Sequence, residues 1–222
     1  MRNLGIVIPY IKNEKVLNIY LKYMKNYMEN NYSDIEYHIN IIEENNTSIF
    51  RKGFLINAGF DLTRSNYDYF NFSDVNILPI SVKLKFPDTP LLLSCNNYET
   101  NNSGCFFKSP TTNCSMLLRK HDFLKINGVN NDSNEFAYED INNRLKLVGN
   151  ELIKHLIKDK NGNTLALCHS IIIDYDTKTS DAVKDDILNV PLYKNGLSTL
   201  KYKIINIEKK EYYTKYLIEE LC

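Results

Sequence analysis

Two periodicities alternate along the first 72 residues, and few architectures accommodate them. Leu4-Gly5-Ile6-Val7-Ile8-Pro9 is a short apolar run of the fully buried strand type, closed by proline. From Glu14 to Met28 the apolar groups Val16, Leu17, Tyr20, Leu21, Met24, Tyr27 and Met28 fall at helical spacing, a stripe made for packing. Glu36–Ile42 alternates as a second strand, Phe50–Leu62 reads as a second helix, and Tyr67–Phe72 as a third strand. Strand, helix, strand, helix, strand is the order of a parallel sheet wrapped by helices, because parallel neighbours need a long crossover. With 222 residues, 43% of them hydrophobic, one α/β domain buries a full core and no second is required. No internal repeat or linker composition divides it.

The second half is less regular. Pro79–Pro90 reads as a loop, Leu91–Ser94 and Cys114–Leu118 as strands, and Lys120–Ile126 as a short helix before Asn127-Gly128. Val129–Asn134 is composed of turn formers with little to bury, which predicts an exposed loop. A helix from near Glu139 to Val148 places Glu139 and Asp140 at its amino end, where the helix dipole favours carboxylates. Strands are expected at Leu152–Ile157 and Leu165–Ile173, then a charged loop, then two terminal strands at Thr199–Ile207 and Tyr213–Ile218.

Charge excludes one class of partner. The 27 basic and 27 acidic residues cancel and are interspersed, so no electrostatic footprint for nucleic acid exists. No apolar run is long enough to span a bilayer, and Leu4–Ile8 is too short for a signal-peptide core. The expected setting is cytoplasmic or a viral-factory-like compartment; the alternative is a secretory lumen, for a fragment lacking its anchor. Cys95, Cys105, Cys114, Cys168 and Cys222 are odd in number and contain no Cys-x-x-Cys pair, which points to free thiols and away from zinc.

The chemistry concentrates at the end of the third strand. Tyr67-Asp68-Tyr69-Phe70-Asn71-Phe72 delivers the acidic turn Ser73-Asp74-Val75-Asn76 at its carboxyl end, where ligands gather in open α/β sheets. An Asp-x-Asp there would hold a divalent cation against a diphosphate, because hard cations prefer carboxylate oxygen. This chain has Asp-x-Asn, one carboxylate short. Asp74 and Asn76 also have the plainer reading of turn-capping residues.

Several segments, in collinear order, resemble the catalytic domain of the β-1,4-galactosyltransferase family. Ile6-Val7-Ile8-Pro9-Tyr10 is similar to its opening strand and Pro-Phe-Arg turn, and Phe50-Arg51-Lys52 with Asn57-Ala58-Gly59-Phe60 to its Phe-Asn-Arg helix. Phe72-Ser73-Asp74-Val75-Asn76 resembles its Phe-Ser-Asp-Val-Asp metal turn. Phe136-Ala137-Tyr138-Glu139-Asp140, followed by Asn143-Arg144-Leu145, resembles the acceptor loop and helix carrying its catalytic acid, and His169-Ser170 its His-Ser metal segment. The resemblance implies a GT-A-type nucleotide-sugar fold with a central, mostly parallel mixed sheet flanked by helices. Residues 1–80 would form the nucleotide half and 81–222 the acceptor half. It also implies inverting transfer of a galactose-like hexose from a UDP-sugar to a glycan or other hydroxyl acceptor.

Under this resemblance Asp140, with Glu139, takes the catalytic role; an alignment anchored on Ile141 shifts both acids by two places. Pro9, Tyr10, Arg51, Lys52 and Asp74 face the donor, and Phe136 or Tyr138 replaces a tryptophan as the stacking surface for the acceptor. Departures fall on the metal: the family's Asp, Met and His ligands read Asn76, Ala166 and His169 here, so Mn²⁺ or Mg²⁺ would be held weakly or not at all. Lys52 has the competing reading of a solvated helix-face lysine, and His169 that of a core histidine. Three readings follow: a transferase with weakened metal dependence, a catalytically inactive glycan-binding or scaffolding module, and a metal enzyme of altered selectivity.

Overall fold

A computed structural model describes residues 2–45, 50–94, 98–100, 106–108, 115–134, 137–150, 153–154, 168–170, 191 and 194–221. β1 (Leu4–Tyr10) is buried along its whole length and lies between two parallel neighbours, β2 (Tyr37–Glu44) and β3 (Tyr69–Ser73). That position explains the unbroken apolar run, since a strand covered on both faces has no solvent side to mark with polar residues. Alternate side chains serve two cores. Leu4, Ile6, Ile8 and Tyr10 point to the layer under α1 (Glu14–Asn31), and Val7 to the layer under α2 (Lys52–Thr63).

The two helices differ as their sequences do. α1 is amphipathic, burying the seven residues of its predicted stripe, and Asn13 caps it by accepting from Val16 N–H at 3.2 Å. α2 is buried almost all round, with Gly59 allowing close approach: a Cβ there would sit 2.6 Å from Val7 Cγ1. It begins at Lys52 and not at Phe50.

Beyond β3 the chain forms β4 (Ile77–Pro79), β5 (Leu91–Ser94), the small hairpin β6 (Tyr98–Thr100) and β7 (Phe106–Lys108), then β8 (Ser115–Arg119). Helices α3 (Lys120–Lys125) and α4 (Ala137–Leu147) follow, then β9 (Ile153–Lys154), β10 (Cys168–Ser170), a 3-10 turn at Leu197–Thr199, and the hairpin β11 (Tyr202–Lys209) and β12 (Tyr213–Glu220). Among the described residues the main sheet has eight strands in the order β11-β12-β2-β1-β3-β8-β5-β9. It is mixed: β12-β2, β2-β1, β1-β3 and β5-β9 pair parallel, the other pairs antiparallel. β10 pairs antiparallel with β4, bringing His169 opposite Leu78. Among the described residues no helix is long and apolar enough to cross a membrane.

One expectation is overturned here. Val129–Asn134 is not an exposed loop: Val129, Asn130, Asn131 and Ser133 are buried, and Asp132 is the residue left outside. Asn57 on α2 donates to Val129 O (2.6 Å) and Asn131 Oδ1 (2.7 Å) and accepts from Val129 N–H (3.0 Å). Asn131 donates in turn to Gly196 O and Thr199 Oγ1. Gly53 N–H donates to Ser133 O at 2.8 Å. The turn-forming composition is correct, but internal amide partners replace water, so the segment can go inside.

Candidate active site

The carboxyl ends of β1, β2 and β3 meet the amino ends of α2 and α4, and the candidate residues collect there. Asp74 immediately follows β3, and Lys52 is the first residue of α2. Lys52 Nζ lies 3.0 Å from Asp74 Oδ1 and 3.1 Å from Oδ2. The residues are 6% and 5% exposed, so this is a buried ion pair. The expectation of a solvated helix-face lysine is therefore corrected: α2 is the inner helix, and its amino end points at the acidic turn. Tyr138 on α4, 1% exposed, completes the cluster. Its hydroxyl donates to Asp74 Oδ1 at 3.4 Å, and Lys52 Nζ stands 5.2 Å from its ring centroid.

Asp140 has different company. Its Oδ2 accepts from Asn130 N–H at 2.7 Å and lies 2.7 Å from Arg144 Nε, off the axis of that N–H. Arg144 also donates to Asn195 O and Ile126 O. Burial pushes the Asp140 carboxyl above the ordinary carboxylate range, against the pull of the Arg144 guanidinium and the Asn130 N–H. Residues two apart on a helix are turned about 200° from each other. Tyr138 thus reaches toward Asp74 while Asp140 is held against Arg144 and the buried 129–134 segment. Glu139 lies between them and is half-buried. The i, i+4 spacing of Asp140 and Arg144 was the available sequence signal for this pair; nothing in the sequence announced Asn130 N–H or the Tyr138–Asp74 contact.

Arg51 is also occupied. It caps α2 without a side-chain cap bond, and its guanidinium bridges Glu44 at the end of β2 and Glu220 at the end of β12. Glu43, next to it, pairs with Lys215 at 3.0 Å. Glu43 and Glu44 line a cavity of about 250 Å³ whose other walls are Tyr10, Ile11, Lys12, Phe50 and Leu55. Tyr10 faces it from the end of β1, after the buried Pro9, and its hydroxyl accepts from Asn13 N–H at 2.7 Å. Burial, helped by Glu14 and Glu43, raises the Tyr10 phenol to about 12 despite the bond from Asn13, so the ring enters the site as a neutral wall.

A divalent cation fits this set of residues poorly. Asp74 already holds an ammonium ion at 3.0 Å, Asn76 offers only a neutral amide, and among the described residues no three His, Cys, Asp or Glu side chains converge. His169 is placed by its backbone, in register with Leu78 two residues past Asn76. Phe136, Ala166 and the side chains of His169 and Cys168 lie outside the described residues, as do the other four cysteines.

Residues 1–86 match the family model described as the N-terminal region of glycosyl transferase group 7. β-1,4-Galactosyltransferase 1 of Bos taurus is 23% identical over 240 residues, covering 97% of this chain and 54% of the relative. The chain thus spans about half the length of that relative. Xylosylprotein 4-β-galactosyltransferase of Caenorhabditis elegans is 24% identical over 210 residues, covering 90% of this chain and 71% of the relative. A crystal structure of Drosophila β-1,4-galactosyltransferase 7 in complex with manganese, UDP-Gal and xylobiose shares the fold, with a TM-score of 0.79 at 18% identity over 100% of this chain and 95% of the other. The chain has the α/β fold of this solved galactosyltransferase, and its first 86 residues carry the similarity to the N-terminal region of glycosyl transferase group 7.

Proposed function

We propose that this domain transfers a galactose-like hexose from a UDP-sugar to a glycan hydroxyl with inversion, using Lys52 as the positive charge in place of a metal ion such as the manganese of the solved Drosophila complex. The observation that carries this reading is the buried Lys52–Asp74 pair at the carboxyl end of β3. Leaving-group departure from a UDP-sugar needs a fixed positive charge beside the diphosphate, in a site where water does not screen it. Lys52 supplies one there, at the amino end of a helix whose dipole adds to it. The cavity beside Tyr10, Ile11 and Phe50 offers apolar and aromatic walls for the nucleoside, and Glu43 and Glu44 offer acceptors for ribose hydroxyls. In this reading the first turn of α4, Tyr138-Glu139-Asp140, lies in the acceptor half and supplies the proton acceptor. The solved neighbour that holds UDP-Gal and xylobiose supports this donor and acceptor class.

A second reading, a glycan-binding or scaffolding module without turnover, is favoured by one set of observations: Arg51 and Asp140 are both committed to internal ion pairs. One experiment separates the readings. Melting temperature is followed against UDP, UDP-galactose, UDP-glucose and UDP-N-acetylhexosamines, each with Mn²⁺ or with a chelator. A ligand that binds only the folded state raises it, by about 2.7 kcal/mol at a hundredfold excess over Kd. The transferase reading expects a rise with a UDP-sugar that survives the chelator. No rise with any nucleotide at millimolar concentration removes it in favour of the binding module.

A further inference from the structure

We infer that the open edge of β11 joins a second copy of this chain, giving an antiparallel dimer about a two-fold axis with one sheet running through both copies. Among the described residues β11 closes one end of the main sheet, and all of it beyond Tyr202 is exposed. An open edge of this length is a template for another strand. Ile204, Ile205 and Ile207 stand on it at 44%, 43% and 42% exposed, an apolar run that water covers poorly.

The ladder between β11 and β12 decides which backbone groups face outward. Lys210 N–H donates to Tyr213 O at one end, and Leu221 N–H to Lys201 O at the other, so both are hydrogen-bonded pairs. Pairs alternate along an antiparallel ladder, and the register shifts at Ile205, the extra residue of a bulge. Counting in from both ends, Tyr202, Ile204, Ile207 and Lys209 turn their N–H and C=O away from β12. Their spacing of two, three and two reads the same in both directions. An antiparallel copy therefore meets all four, Tyr202 opposite Lys209 and Ile204 opposite Ile207, with the axis passing midway between Ile205 and Asn206.

Side chains match in that same register. Ile204 and Ile207 lie opposite Ile218 and Tyr216, so they share a face and extend the apolar layer that lies against α2. On the other face Lys203 falls opposite the partner's Glu208, once on each side of the axis. Within the chain Lys203 pairs with Glu219 at 2.8 Å and Glu208 with Lys210 at 3.4 Å, all four about half exposed. Dimerisation thus lines up Glu219, Lys203, Glu208 and Lys210 in alternating sign, a charge complementarity that selects a second copy as the occupant. Like charges meet at Lys201 and Lys210, past the ends of the ladder, where water and salt screen them. Asn206 and Glu208 also line a cavity of about 390 Å³ that shares Lys12 and Glu43 with the cavity beside Tyr10, so the partner's Lys203 comes to its rim.

Sedimentation equilibrium from micromolar to near-millimolar protein tests the interface, and the parent is expected to show a monomer–dimer equilibrium. Lys203→Glu and Glu208→Lys each set like charges against each other at both contacts and should weaken association about tenfold or more. Both positions are exposed, so circular dichroism should report an unchanged fold. Mixed one to one, the two variants restore opposite charges at both contacts, and the mixture should associate as tightly as the parent. A parent that stays monomeric across the range overturns the interface. So does a parent dimer that the charge reversals leave unmoved, since its contact then lies elsewhere, and so does a mixture no tighter than either variant alone.

Discussion

Replacing Lys52 with methionine tests the central claim about the site. Methionine keeps the length and apolar stem of lysine, so packing against Tyr138 is preserved and the charge alone is lost. Asp74 then remains 5% exposed without the ammonium that stood 3.0 Å away. Breaking a buried pair from one side costs about 3–5 kcal/mol, because the surviving charge has been desolvated without compensation. No discount for solvent screening applies, since both side chains are only 7% accessible. For a domain of this size each kcal/mol moves the melting temperature by about 2–4 °C, so Lys52→Met should melt roughly 6–20 °C below the parent. Scanning fluorimetry or circular dichroism reads this directly. The double variant Lys52→Met/Asp74→Asn removes both charges and should recover at least half the loss, giving a coupling energy that belongs to the pair. A single variant melting within 2 °C of the parent would refute the reasoning, for Asp74 would then have had no need of its lysine.

Other perturbations probe the frame around the site. Gly53→Ala would put a Cβ 2.0 Å from Asn130 O and 2.4 Å from Ser133 Oγ, atoms of the buried segment that closes on α2. It should be among the most damaging single substitutions, with expression and melting temperature as the measure, and an unchanged melt would sink that account of the 129–134 packing. His38 is held neutral: burial lowers its pKa from the ordinary 6.5, and its Nε2 lies 2.9 Å from Thr214 Oγ1. Between the depressed folded value and 6.5 the unfolded chain binds more protons, so stability should rise with pH across that window, and His38→Gln should flatten the rise in urea titrations at several pH values. Arg51→Met leaves Glu44 buried without its guanidinium and should cost about 1–3 kcal/mol in a denaturant melt, whereas a phosphate-binding arginine would cost UDP affinity and little stability.

The sequence made the first half of the fold legible because each element there carries its own local signal. β1 is a closed apolar run, α1 an amphipathic stripe, and their alternation permits few alternatives to a wrapped parallel sheet. What could not be read was the partner of each polar residue. Lys52 looked like surface because lysine usually is; its burial depends on α2 being the inner helix, a property of packing and not of residue 52. Val129–Asn134 looked exposed because its amides need partners, and the sequence does not say that Asn57 and the 195–199 turn will provide them. Asp140 is a candidate base by residue type. Its ion pair with Arg144, and the direction of Tyr138, follow from the helix phase, which an alignment uncertain by two places leaves undetermined.

Four acids around the site share one property: each is matched to a cation of the same chain. Asp74 has Lys52, Asp140 has Arg144, Glu43 has Lys215 and Glu44 has Arg51. A metal-binding turn works the other way, holding carboxylates in excess so that a dication completes the balance. Here the acidic turn carries an amide at Asn76 and balances its carboxylate at Asp74 internally, so a divalent cation at Asp74 would have to displace a buried ammonium ion. Lys52→Met reverses that competition. Removing the lysine leaves Asp74 as the strongest oxygen ligand of the turn, beside the Asn76 amide and close along the backbone to His169. Millimolar Mn²⁺ should therefore raise the melting temperature of Lys52→Met and leave the parent nearly unmoved. An equal rise in both proteins would mean that the metal does not compete with Lys52, and the lysine would lose the role proposed for it.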